Sequence, residues 1–139
     1  MDDDRSTRHL QLFLRVYGAV ALVLFSALLL AFLVRWPMVD EGAPLHWVIW
    51  DRVHDHVAPM LFAVYFVWSA FLLRAARDPA AHATFLDFTM WANLAHVLVM
   101  LPMAVAESQY RSKLLTDIPF LLLLVGALAL WRPRRAAAP

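Results

Sequence analysis

Residues 16–34 read VYGAVALVLFSALLLAFLV, an uncharged run bracketed by Arg15 and Arg35. A helix needs about 20 mostly apolar residues to cross a hydrocarbon core of roughly 30 Å. A segment of this length that is apolar on every side suits lipid better than the core of a small domain. Three more stretches follow the same rule. Val57–Leu73 closes at Arg74, Phe85–Ala106 carries Asp87, Asn93 and His96, and the last runs from Leu114 to Trp131 with Asp117 and Pro119 near its start. With their flanks, the spans are expected at approximately 13–35, 57–74, 85–106 and 114–131. Backbone polar groups find no water in lipid, so only helices or closed barrels cross it, and no segment alternates as a barrel strand does. The expected fold is all-α. It is a four-helix transmembrane bundle forming one integral membrane domain over residues 1–139.

Composition agrees with that reading. Of 139 residues, 63% are hydrophobic and 17% charged, against about 45–50% and 25% in soluble domains. A disordered chain, a coiled coil and a nucleic-acid binder are excluded, and a net charge of +1 says nothing about a polyanionic partner. With no Cys there is no disulfide, thiol nucleophile, Cys-based zinc site or iron–sulfur cluster. The first apolar run is not expected to be a signal peptide. It follows Asp2, Asp3 and Asp4, is too long, and precedes no small-residue cleavage site.

Basic residues set the expected orientation. Arg5, Arg8, Arg15, Arg74, Arg77, Arg132, Arg134 and Arg135 fall on one side; Arg35, Arg52, Arg111 and Lys113 fall on the other. Both termini are therefore expected in the cytoplasm, with the loop from Arg35 to His56 outside. Trp36, Trp47 and Trp50 suit the headgroup belt. Pro44 can open a short helix along which Leu45, Val48, Ile49 and Val53 recur, giving a short interfacial segment in the first outer loop.

The third span holds the candidate chemistry. At 100° per residue, His82, Thr89, Asn93, His96, Met100, Met103 and Glu107 share an arc of about 80°. Lipid is a poor solvent for these groups, so the stripe should face protein, with Phe85, Trp91 and Val99 toward lipid. His96 near mid-membrane is either a proton-accepting or ligand-binding residue beside two Met, or a clasp hydrogen-bonded to Asn93, Tyr65 or Ser69. Haem would need a second axial ligand at the depth of His96. His9, His46, His54, His56 and His82 all lie near the boundaries, and Met60 lies close to the outer one. Asp51, His54, Asp55 and His56 at the mouth of the second span have ligand types suited to a divalent metal. No Ser-nucleophile motif, phosphate loop or HExxH is present, and no cofactor is predicted.

Three stretches also resemble one family. They are Ala75-Ala76-Arg77-Asp78-Pro79-Ala80-Ala81-His82, Phe88-Thr89-Met90-Trp91 with His96, and Leu114-Leu115-Thr116-Asp117-Ile118-Pro119. Their order and spacing are similar to those of small, uncharacterised bacterial membrane proteins with four helices, a domain of unknown function. The resemblance covers about residues 60–131. It implies a bacterial inner membrane location, supplies no activity, and marks His82, His96 and Asp117. The expected function is a non-enzymatic bundle, either an accessory to a larger membrane complex or homo-oligomer, or a small-ligand binder in the bilayer. The alternatives are a proton-coupled carrier or quinone-like ligand binder using the third-span stripe, and then a haem or metal oxidoreductase.

Overall fold

The computed structural model describes residues 2–40, 42–48 and 57–132. Four helices carry the chain: α1 (Asp2–Leu33), α2 (Val57–Ala75), α3 (Ala83–Ala106) and α4 (Asp117–Trp131). Among the described residues there is no strand. Four segments are long and apolar enough to cross a membrane, the last of them running from Ser108 to Trp131. The expected all-α fold with four spans is what the structure has.

The chain divides into two units. One joins Met1–Tyr17 to Leu73–Pro139, and the other is Gly18–Leu72. Helix α1 contributes its first half to one unit and its second half to the other. It begins well before the expected position 13, because the helix continues through the polar residues ahead of the apolar run. Asp4 in its first turn complements the positive end of the helix dipole, and Leu10, Leu14 and Tyr17 on its inward face are buried.

In the Gly18–Leu72 unit, aromatic rings hold α1 to α2. Phe25 stacks on Tyr65 with centroids 4.8 Å apart, and Phe32 meets Phe62 edge-on at 5.6 Å. Val39, from a single 3₁₀ turn at Pro37–Val39, packs with Phe62 into a small core that Phe25, Leu28, Phe32 and Leu45 flank. Helix α1 ends on Arg35, whose φ of 50° is left-handed. Trp36 N–H then reaches back to the Ala31 carbonyl at 2.9 Å, a six-to-one closure that usually recruits Gly. The helix expected after Pro44 takes a different form. His46–Val48 is one 3₁₀ turn, fixed by the Leu45 N–H on the Met38 carbonyl at 3.0 Å. Ile49 and Val53 lie outside the described residues.

In the other unit α3 packs against α4 and against a 3₁₀ segment, Ser108–Leu114, that precedes it. At 1.5 Å per residue α3 is about 36 Å long but α4 only about 22 Å, short of a roughly 30 Å core. The seven-residue 3₁₀ segment supplies about 14 Å more at 2.0 Å per residue. The fourth span is therefore composite, longer than the expected 114–131, and broken at Leu115–Thr116. Pro119 explains the break. It has no N–H for the Leu115 carbonyl, and its ring would clash with that carbonyl in a continuous α-helix. In the first turn of α4, where no intrahelical partner is needed, it is well tolerated. Thr116 does not cap α4; its hydroxyl donates to the Ser112 carbonyl at 3.1 Å. Tyr17 secures the start of α4 from α1, stacking on Phe120 at 4.5 Å and donating its hydroxyl to the Phe120 carbonyl at 3.1 Å.

Candidate functional site on the third helix

The buried side of α3 is formed by Leu86, Thr89, Met90, Asn93, Val97, Met100 and Ala104. On the helical wheel this face is centred about 50° from the centre of the polar stripe. The rotation follows from energetics. Burying Leu86, Met90, Val97 and Ala104 against the Leu-rich face of α4 outweighs interhelical hydrogen bonds, which are individually weak in membrane proteins. Thr89, Asn93 and Met100 belong to both faces. His96 falls on the edge and is half-buried, while Met103 is 38% exposed and Glu107 is exposed. The outer end of the stripe is thus exposed on this chain, while Thr89, Asn93 and Met100 are buried within it. On the opposite side, Trp91 and Val99 are 60% and 64% exposed, as a lipid face requires, but Phe85 is half-buried.

Asn93 is the most constrained polar group of the stripe. Its Nδ2 donates to the Thr89 carbonyl at 2.7 Å, one turn back. That bond fixes the amide, because the flipped orientation would set two oxygens against each other. Oδ1 is buried and has no hydrogen-bond donor among the described residues. Such an orphan acceptor is uncommon in a folded protein and calls for an explanation.

At the inner end, His82 precedes α3 and belongs to the turn. Its Nδ1 lies 3.0 Å from the Asp78 carbonyl oxygen, and Asp78 Oδ1 accepts the Ala81 N–H at 3.0 Å. His82 is therefore separate from the mid-span group. Asp87, the one acidic residue off the stripe, forms an ion pair with Arg132 at the end of α4. At the outer end Glu107 closes α3 through its backbone N–H on the Met103 carbonyl, and its carboxylate accepts from Gln109.

Lys113 was not among the expected site residues, since a lysine just before a span reads as a solvated flank. Only 1% of its side chain is exposed, and Nζ lies 3.2 Å from Asp117 Oδ2 across the break in the fourth span. The i, i+4 spacing of Lys113 and Asp117 just ahead of the helix-breaking Pro119 was the available sequence signal. This unit thus carries Asn93 and His96 on α3 and the Lys113–Asp117 pair on the broken fourth span that packs against it. No three His, Asp or Glu side chains among the described residues converge to hold a metal ion. Asp51, His54, Asp55 and His56 lie outside the described residues.

The model of a family of unknown function, DUF6632, matches residues 5–137. The chain belongs to that family. The match takes in the first span and first loop as well as the stretches that carried the resemblance. No characterised protein and no solved structure matches this chain.

Proposed function

We propose that this DUF6632 protein is a non-enzymatic membrane protein that binds a small lipophilic molecule beside α3, where the fourth span is broken. The observation that carries the proposal is the enclosed Lys113, paired at 3.2 Å with the partly exposed Asp117 at the break in the fourth span of the unit whose α3 bears half-buried His96. Ionisable groups in such segments are costly and generally serve ligands, ions or protons. Broken helices at membrane depth occur where backbone is buried in protein or lines a site. The Lys113–Asp117 pair favours a second reading: a proton-coupled carrier in which these two groups and His96 hand on a proton. The eight-to-four basic asymmetry and the family resemblance support placement in a bacterial inner membrane with both termini cytoplasmic.

The test is chemical. Wild-type and His96→Leu proteins are purified from native membranes in mild detergent, extracted with organic solvent and compared by mass spectrometry. A species enriched with the wild type and depleted in the variant is expected. Matching extracts would remove the ligand-binding reading.

A further inference from the structure

We infer that the ligand is a neutral amphiphile whose polar head donates a hydrogen bond, such as a phenol, hydroquinone or alcohol, and that its acceptor is Asn93 Oδ1. The inference deepens the ligand-binding reading and rests on it. Asn93 is 4% exposed, its amide orientation is fixed by Thr89, and its oxygen meets no donor among the described residues. A carbonyl oxygen can only accept, so a quinone, an ether or an ester presents the wrong group. The oxygen carries no formal charge, so a cation gains less here than at Asp117.

The surroundings select the rest of the molecule. Met90 and Met100 are buried on the same face of α3, three residues before and seven after Asn93. Leu121, Leu124 and Leu128 are buried on α4, which packs against it. Such walls accept an apolar ring or chain, and unbranched Met side chains can shift to admit it. A site built to receive a donor rejects an isosteric ligand that lacks one, because its own polar atom then stays unpaired.

The experiment compares two probes of nearly equal shape, 4-hexylphenol and its methyl ether 4-hexylanisole, titrated into the full chain in phospholipid nanodiscs. Saturable binding above that of empty nanodiscs is measured. The phenol is expected to bind the wild type about tenfold more tightly than the ether, a ratio typical of one satisfied buried acceptor. The preference should vanish in Asn93→Leu. Asn93→Ser serves as the second variant, and the wild-type comparison needs no variant at all. Equal saturable binding of both probes would overturn the donor assignment while leaving a ligand site in place. Saturable binding of neither probe, which would mean that an ordered water alone serves Asn93, would overturn both readings.

Discussion

Lys113 and Asp117 form an ion pair at 3.2 Å in which the lysine is almost fully enclosed and the aspartate one-third exposed. The two ends of the pair are therefore unequal. Removing the carboxylate strands a buried ammonium, whereas removing the ammonium leaves a carboxylate that can still be solvated. Asp117→Asn should cost about 3 kcal/mol, Lys113→Met clearly less, and the double variant should recover most of the loss. Unfolding of the three proteins in mixed detergent micelles measures this. Equal losses in the two single variants would contradict the enclosed position of Lys113.

Asn93 and His96 should respond in opposite ways to the same substitution. Asn93→Leu removes an orphan acceptor together with the weak local Nδ2 bond to the Thr89 carbonyl, so stability without ligand should stay level or rise by up to about 1 kcal/mol. His96→Leu removes a half-buried polar group and should lower stability by roughly 1 kcal/mol. The same unfolding assay reads both. A marked loss in Asn93→Leu would contradict the view that the Asn93 amide is a net cost to the empty fold.

Tyr17 offers a control away from the site. Tyr17→Phe keeps the stack on Phe120 and loses only the hydroxyl bond to its carbonyl. A cost of about 0.6 kcal/mol is expected, the average for such bonds between membrane helices. A loss several times larger would mean that the bond organises the start of α4.

Orientation can be tested cleanly because the chain has no Cys. Gln109→Cys in the 3₁₀ segment and Ala80→Cys in the turn before α3 both place a thiol at an exposed position. With an impermeant thiol reagent on intact cells, the first should label and the second should label only after lysis. The reverse pattern would invert the proposed topology.

The four spans were legible in sequence because length and uniform apolarity decide them, and both are local properties. Helix starts were less so. Nothing in residues 5–12 distinguishes a helix from a tail until Leu10 and Leu14 are seen to be buried. The polar stripe of α3 was correctly placed on one arc, yet its rotation was set by the apolar neighbours and by α4, which a wheel of one helix does not contain. Lys113 was missed for a related reason. Pro119 converts the residues ahead of α4 from an outer loop into part of the span, and only the folded 3₁₀ segment shows that the lysine turns inward. The orphan oxygen of Asn93 was invisible in principle, since it depends on a bond to Thr89 and on what fails to reach it.

The most direct measurement is photolabelling. An alkylphenol bearing a diazirine on its tail, activated with the wild-type protein in nanodiscs, should modify peptides within residues 89–100 and 113–121. Excess 4-hexylphenol should suppress that labelling, and Asn93→Leu should lose it. Label confined to lipid-facing positions such as Trp91 and Val99, unaffected by competitor, would contradict a ligand site between the polar face of α3 and the broken fourth span.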